Sequence, residues 1–255
     1  MSVPDVVTTG LVTAAALQVA KQGQDLIAAA AGYPGESLGT IIGKWTKRRF
    51  ENAKSIGSKA HLILLNIGQV QKTDVPLKLL EPLIEAASLE ENDELQDIWA
   101  NLLAHVTDPR ELITVSPIFP YILRDFGSKE VKFLDALYED ALKNAEDHPI
   151  FKDVSRMQYK LPYLMELYRK LGFSNAPNLG SPDFQQQQHP DFQRDRNAFF
   201  FMLDVIRRHD VIREVLMPRE TDELDHPEGP MKRVYHLSEL GSAFIKACRP
   251  PSKAE

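Results

Sequence analysis

Apolar residues recur at helical spacing through most of the chain. The clearest example lies in SLEENDELQDIWANLLAHVTDP, where the apolar positions are Leu95, Ile98, Trp99, Leu102, Leu103 and Val106. Residues three and four apart share one face of a helix, so this spacing predicts an amphipathic helix with Trp99 in the core. Asn92 is the predicted cap, and Asp108-Pro109 ends the helix because a residue before proline avoids helical geometry.

Similar patterns predict further helices on both sides of this segment. The predicted helices cover 5–31, about 36–66, 76–89, 128–147, 152–171, 191–210 and 238–248. Ser128 and Ser238 are the predicted caps of two of them, and Pro162 is expected to interrupt the helix over 152–171. The β-rich runs VIREVLMP (211–218) and MKRVYHL (231–237) predict two strands.

These elements predict a mainly α protein: a multi-helix bundle with a small C-terminal winged-helix-like α/β element. Four parts follow along the chain. Residues 1–72 hold Ala/Gly-rich and basic amphipathic helices, and 73–173 form a central helical core. Residues 174–191 are rich in Gln, Pro and Gly and form a linker, and 192–255 form the winged-helix-like part.

Composition narrows the classes of function. The formal net charge is −6, which argues against a chain that binds nucleic acid with its whole surface. Residues 191–255 hold eleven Lys and Arg against twelve Asp and Glu, so nucleic-acid binding by the winged-helix-like part is not favoured either. The single cysteine, Cys248, excludes an internal disulfide and a cysteine-based zinc site. No stretch has the uninterrupted apolar length of a membrane-spanning helix.

Three segments resemble the abortive-infection-alpha family of bacterial proteins. The segment PLKLLEPLIEAASLEENDELQDIWANLLAHVTDP is similar to the family's proline-led helix, acidic linker and "EL…W/FANLLA…DP" helix. The segment SPIFPYILRDFGSKEVKFLDAL is similar to the family's next motif, although no His precedes Pro117. The end YHLSELGSAFIKAC is similar to "Y.LT..G..F..AC", with Ser238 where Thr is common. Before it, His209 and Asp210 replace the usual Leu-Gly.

The resemblance covers about residues 36–250. It implies a largely helical bacterial protein that takes part in phage defence by abortive infection. It supplies no catalytic residues, so any site has to be argued from the chain itself.

One candidate site is a polar stripe on the helix that contains Trp99. Glu94, Asp97, Asn101 and His105 are spaced three, four and four apart and therefore share one face. Such a face could serve a metal- or nucleic-acid-dependent enzyme. The structural alternative is that the acids favour the helix start and His105 the helix end, where the helix dipole stabilises them. Because no metal-binding motif accompanies the stripe, we favour the structural interpretation and expect no metal and no cofactor.

The second candidate is the basic segment GKWTKRRF. Ile41 and Trp45 lie beside Lys47, Arg48 and Arg49, and residues 43–59 carry six positive charges against one negative. A basic helix with Trp and Ile on its other face is typical of contact with an anionic membrane surface. Nucleic acid is a second possible anionic partner. We favour the structural alternative, in which this helix packs its apolar face in the bundle and leaves Lys and Arg in water.

Together these patterns favour a non-enzymatic defence protein that acts by association. The expected partner is a protein or a second copy of the chain, and an anionic membrane surface is the alternative. An oligomeric scaffold is a further alternative. We expect a cytoplasmic location. If the partner is a membrane surface, we expect peripheral attachment to the inner membrane.

Overall fold

The computed structural model describes residues 36–68, 75–108, 110, 115–147, 153–176, 190–217 and 232–251. The predicted helix over 5–31 and most of the predicted linker lie outside these residues. The described helices are α1 (Glu36–Asn66), α2 (Leu77–Ala87), α3 (Asp93–Thr107), α4 (Phe119–Asp125), α5 (Ser128–Asp147), α6 (Leu161–Lys170), α7 (Pro190–Arg208) and α8 (Glu239–Cys248). The strands are β1 (Tyr159–Lys160), β2 (Ile212–Met217) and β3 (Lys232–Leu237).

The predicted fold class is confirmed: the protein is mostly helical, with a small antiparallel sheet near the C-terminus. The winged-helix-like detail stays a prediction. The chain divides into two compact units, the first made of Met1–Asp125 with Lys246–Glu255 and the second of Phe126–Ile245. The predicted four-part division also stays a prediction.

In the first unit, α1 lies against α3. The buried positions of α1 follow helical spacing, and three of the six are Ala or Gly: Arg49, Ala53, Ile56, Gly57, Ala60 and Leu64. Small side chains on one face let two helices approach closely, and here the opposite helix supplies large apolar side chains. Trp99 of α3 is 1% exposed, which confirms its predicted place in the core. Burying such a side chain stabilises the fold by roughly 1.5–3 kcal/mol.

The start of α3 follows the prediction from its sequence. The Asn92 side chain accepts hydrogen bonds from the backbone N–H groups of Glu94 and Leu95 at 2.9 and 3.2 Å. These N–H groups have no partner inside the helix, so the cap satisfies them and fixes where the helix begins.

The second unit contains a three-stranded antiparallel sheet in the order β1–β3–β2. The predicted strands over 211–218 and 231–237 are confirmed as β2 and β3, which pair from Ile212 opposite Leu237 to Met217 opposite Lys232. The prediction for 152–171 is partly wrong. A 3₁₀ turn (Val154–Arg156) and strand β1 precede α6, and Pro162 lies in the first turn of α6 rather than interrupting a helix. Proline fits there because first-turn N–H groups need no intrahelical acceptor.

Helix α5 begins one residue earlier than expected, because Ser128, the predicted cap, is its first helical residue. The helix begins at Ser128, so Gly127 is the residue before it, and Glu130 accepts the Gly127 N–H at 2.9 Å. This contact is the glutamate half of a capping box.

Two motif residues near the end of the chain have a packing reason. A side chain on Gly241 would place its Cβ 2.1 Å from the backbone oxygen of Val211, so only glycine fits. The Ser238 hydroxyl accepts the Gly241 N–H at 2.8 Å and confirms Ser238 as the predicted cap of α8.

Asp210, which replaces the glycine of the family pattern, has a left-handed φ of 57°. Its carboxylate accepts from Arg213 Nε at 2.8 Å, and aspartate is one of the few residues that adopt this conformation routinely.

Candidate functional site

The four residues of the predicted stripe on α3 have separate partners. Glu94 and Asp97 are exposed at the start of the helix. Asp97 Oδ1 lies 2.7 Å from Lys59 Nζ of α1, and Asp93 Oδ1 lies 3.9 Å from the same ammonium. Asp97 therefore forms, together with Asp93, an ion-pair cluster with Lys59 of the neighbouring helix.

The inner half of the stripe contacts backbone carbonyls. Asn101 and His105 are both buried. Asn101 Nδ2 donates to the Cys248 carbonyl at 2.9 Å, and His105 Nε2 lies 2.9 Å from the Arg249 carbonyl. Carbonyls at the end of a helix have no partner inside it, so these side chains satisfy the end of α8. All four residues belong to the first unit.

A buried carboxylate forms an ion pair at the end of α3. The Asp108 side chain is fully covered, and its Oδ1 accepts from Arg110 Nε at 2.9 Å. The hydrogen bonds from Arg110 lower the pKa of Asp108, burial acts in the opposite direction, and charge on His105 contributes a smaller lowering. Sequence reasoning assigned Asp108 only to the Asp-Pro stop. Arg110, two positions later, is the feature of the sequence that could have indicated an ion pair with Asp108.

The stripe as a whole has no arrangement typical of an enzyme. Asp97 pairs with Lys59 of α1, and the Asn101 amide and His105 imidazole contact carbonyl oxygens. In the ranges that the structure describes, no group of three or more His, Cys, Asp or Glu residues is placed to hold a metal ion. Its geometry therefore favours the structural interpretation.

The basic segment of α1 divides into a buried residue and an exposed surface. Arg49 is 6% exposed, whereas Trp45 is 38% exposed and Lys47 and Arg48 lie in solvent. We call Trp45, Lys47 and Arg48 the α1 surface. Ile41 lies in the same helix, but its side chain is outside the described part of the chain.

Arg49 holds the α1 surface to the rest of the first unit. Its Nε donates to Ser88 Oγ at 2.9 Å, and its Nη2 donates to the Glu85 carbonyl at 3.2 Å. Burial lowers the pKa of Arg49, and the charge of Glu85 opposes that effect. An arginine keeps its charge in proteins, so this is a buried cation that donates to a hydroxyl and to a backbone carbonyl.

The same guanidinium supports Trp45. The Arg49 Cζ atom lies 4.8 Å from the centre of the Trp45 ring, within the range of a cation–π contact. The indole is thus partly exposed and is held from below by a buried, hydrogen-bonded group. The sequence analysis grouped Trp45 and Arg49 as residues of one contact surface. That Arg49 is buried while Trp45 is exposed could not be predicted without the position of Ser88.

Two exposed cations of α1, Lys47 and Arg48, have acidic neighbours. Arg48 Nη2 lies 2.8 Å from Glu91 Oε2, and Lys47 Nζ lies 3.8 Å from Glu51 Oε1. The segment between α2 and α3 supplies Glu91, and α3 supplies Asp93 and Asp97. The charge excess counted along the sequence is therefore partly offset in space.

Comparisons with known proteins identify the family. No curated protein and no solved structure matches the chain significantly. Among the described residues, no helix is long and apolar enough to cross a membrane. The family model described as abortive infection alpha matches residues 48–248, well over half of the chain, and suggests a role in abortive-infection defence. The chain belongs to the abortive infection alpha family.

Proposed function

We propose that this protein acts in abortive infection by binding another protein through the α1 surface. The observation that carries the proposal is the exposed Trp45 ring held over the buried Arg49 guanidinium. Tryptophan and arginine dominate the binding energy of many protein interfaces. A ring that is already fixed in place loses little conformational entropy on binding, which favours affinity.

The surroundings of the α1 surface favour a protein over an anionic membrane. Carboxylates already pair with Lys47 and Arg48, so attraction to anionic lipid headgroups is reduced. Trp45 continues the helical face of α1 that is buried from Arg49 to Leu64, so most of that face is covered by the first unit and cannot enter a lipid layer. A mixed-charge rim around an aromatic residue is instead typical of a protein interface.

The first experiment separates protein from lipid as the partner. Purified protein is sedimented with vesicles of phosphatidylcholine and with vesicles that also contain phosphatidylglycerol, at low and physiological salt. The proposal predicts that the protein stays in the supernatant in all four samples. Sedimentation with the anionic vesicles that Trp45→Ala and Arg48→Glu together abolish would support the membrane alternative and overturn the proposal.

The second experiment tests the surface in defence. Cells that express the Trp45→Ala, Arg48→Glu double variant are challenged with the phages against which the wild type protects. We expect the double variant to lose protection at unchanged protein level. The matched control is Leu77→Ala with Lys78→Glu, which changes an exposed apolar residue and an exposed cation on α2. Full protection by the α1 double variant would contradict the proposal.

A further inference from the structure

Strand β2 forms an open edge of the sheet in the second unit. The strand order β1–β3–β2 places it at the edge, and its residues pair with β3 on one side. Within the ranges that the structure describes, no strand lies along its outer side. We call this outer side the β2 edge. All of β2 belongs to Phe126–Ile245, so the β2 edge is a feature of one compact unit and plays no part in the function proposed above.

One backbone hydrogen bond shows which residues present their backbone groups at the β2 edge. The Ser238 N–H donates to the Val211 carbonyl at 3.0 Å, so these two residues form a hydrogen-bonded pair just before β2 begins. Hydrogen-bonded and non-hydrogen-bonded pairs alternate along an antiparallel ladder. Val215 therefore bonds to β3, whereas Glu214 and Leu216 direct their N–H and C=O groups outward. An added strand can pair with these outward groups.

The centre of the β2 edge is apolar and exposed. Val215 is 40% exposed and Leu216 is 56% exposed. Successive side chains of a strand lie on opposite faces of the sheet, so each face has one exposed apolar side chain at this point. Pairing with a second strand would remove part of this apolar surface from water, which is favourable.

The two charged residues of β2 are already paired within the chain. Charged side chains on an edge strand usually prevent another strand from pairing with it. Glu214 lies 3.0 Å from Arg207 and 3.3 Å from Arg233, and its side chain is only 15% exposed. The Arg213 Nε donates to the Asp210 carboxylate at 2.8 Å. Because both charges are offset locally, neither one protects the β2 edge by repulsion.

The groove beside β2 selects neither sign of charge in a partner. It lies between α7 and β2, and its charged lining consists of three arginines and three carboxylates: Arg207, Arg208, Arg213, Asp204, Asp210 and Glu214. A strongly acidic or strongly basic segment would meet like charges there. A second copy of the chain carries the same balanced mixture, so two copies can approach without net repulsion.

The sequence of β2 fits an antiparallel copy of itself in one register. A two-fold axis at Val215 places this residue opposite its own counterpart, and it places Glu214 opposite Leu216 of the second copy. Glu214 and Leu216 then form hydrogen-bonded pairs across the axis, which use the outward backbone groups of both residues. An axis at Arg213 or Glu214 would instead place like charges opposite each other. An axis at Leu216 would place Glu214 opposite Pro218, which has no N–H to donate.

We propose that two copies of the protein pair through the β2 edge, so that their sheets join into one antiparallel sheet across a two-fold axis at Val215. The interface is isologous, because the same strand contributes from both copies. Backbone pairing supplies affinity, and burial of Val215 and Leu216 adds to it. Two short strands bury little surface, so the dimer forms in a concentration-dependent way.

The first test measures the mass of the purified full chain by light scattering, from micromolar to millimolar concentration. We expect the mass to rise from that of the 28.8 kDa monomer to twice that value. Val215→Lys should weaken association about tenfold or more, because the axis brings two ammonium groups opposite each other. The matched control is Phe201→Lys on α7, where an apolar side chain of the same unit is 71% exposed, and it should dimerise like the wild type.

Circular dichroism and an unchanged melting temperature verify that each variant is folded. A wild type that stays monomeric at every concentration would overturn the proposal, and this is the result expected if the β2 edge pairs with a strand of another protein. An oligomer that survives Val215→Lys would overturn it as well. So would equal weakening by Val215→Lys and Phe201→Lys, because it would show a general effect of added charge.

The second test uses the fact that an axis at Val215 pairs this residue with itself. Val215→Glu alone should weaken association as Val215→Lys does, since like charges again lie opposite each other. An equimolar mixture of the two variants should recover the dimer, because a carboxylate then lies opposite an ammonium group. A mixture that stays monomeric would contradict the proposed axis.

The third test fixes the register by cross-linking. Val215 would form a non-hydrogen-bonded pair with its counterpart, with Cα atoms about 4.5 Å apart, a separation that a disulfide can span. Val215→Cys should therefore form a covalent dimer on air oxidation. In the matched control, Met217→Cys, the two sulfurs would lie about four residues apart along the strands, roughly 13 Å, and should not join. Equal cross-linking of the two variants would overturn the register. The native Cys248 is buried and is present in both proteins.

Discussion

Three side chains of the α3 stripe contact other groups of the chain, whereas the Trp45 ring on α1 is partly exposed to solvent. Asn101 and His105 contact the carbonyls of Cys248 and Arg249, and Asp97 pairs with Lys59. On α1, the buried Arg49 donates a hydrogen bond to Ser88, and the Trp45 ring lies over its guanidinium. The two neighbouring helices thus use polar side chains in opposite ways.

The contrast shows how to separate structural from functional polar residues. A polar group whose hydrogen-bonding capacity is filled by backbone carbonyls stabilises the fold and has little left for a ligand. A partly exposed aromatic ring that is fixed from below has a face available to a partner. In the first unit, the α3 stripe belongs to the former class and the α1 surface to the latter.

The largest difference is expected between adjacent arginines of α1. Arg49→Ala removes two hydrogen bonds and the buried side-chain stem, which should lower the free energy of unfolding by about 2–4 kcal/mol. Arg48→Ala removes an exposed ion pair with Glu91 and should cost less than about 1 kcal/mol. Urea unfolding of both variants measures the difference. Equal destabilisation would show that Arg49 does not hold the fold as described.

The next largest effect concerns the inner half of the α3 stripe. Asn101→Leu leaves the Cys248 carbonyl without its buried donor and should cost about 1–3 kcal/mol in the free energy of unfolding. The matched control is Asn197→Leu, at an exposed position of α7, with an expected change within about 0.5 kcal/mol. Denaturant unfolding of the two variants makes the comparison. A stable Asn101→Leu protein would reopen the question of a ligand for the stripe.

A pH dependence is expected at the end of α3. The pKa of Asp108 is lowered from its ordinary value of 3.8 by Arg110, so the unfolded chain binds this proton more readily than the folded protein does. The resulting stabilisation is fully present above that ordinary value and is lost as the pH falls through the lower pKa of the folded state. Unfolding midpoints measured from about pH 6 down to about pH 3 should therefore fall more steeply in the wild type than in Arg110→Gln.

The matched control for this pH effect is Arg124→Gln. Arg124 Nε lies 3.4 Å from Asp125 Oδ1, and both side chains are largely exposed. Its pH profile should follow that of the wild type. If Arg110→Gln also follows the wild type, the ion pair of Asp108 does not contribute to stability as argued.

The smallest effect is expected at the outer half of the stripe. Asp97→Asn removes an ion pair with Lys59 in which the Asp97 side chain is 66% exposed. Exposed ion pairs contribute about 0–1 kcal/mol, so the unfolding midpoint should change little, and less at high salt. A loss of several kcal/mol would place Asp97 among the buried structural groups instead.

Local sequence signals predicted the helices and strands well where one segment determines its own structure. The spacing from Leu95 to Val106, the Asn92 cap and the two β-rich runs are all of this kind. Strand β1 could not be predicted because two residues carry no period of their own, and Tyr159 forms a strand only by pairing with Tyr235. The Pro162 error has the same origin: proline starts or breaks a helix according to what precedes it.

The candidate sites depended on contacts far apart in the chain. Asn101 and His105 were placed correctly on one face, but their partners lie more than 140 positions away at Cys248 and Arg249. Arg49 was grouped with the exposed cations because nothing in GKWTKRRF marks one arginine as buried. Its burial depends on Ser88, which lies 39 positions along the chain.

The most direct test of the account compares the two regions in defence. Cells that express Trp45→Ala or Asp97→Asn at equal protein levels are challenged with phages that the wild type blocks, and the efficiency of plating is measured. The account predicts that Trp45→Ala loses protection while Asp97→Asn keeps it, with both proteins folded. Loss of protection by Asp97→Asn together with full protection by Trp45→Ala would contradict the central claim and return the function to the α3 stripe.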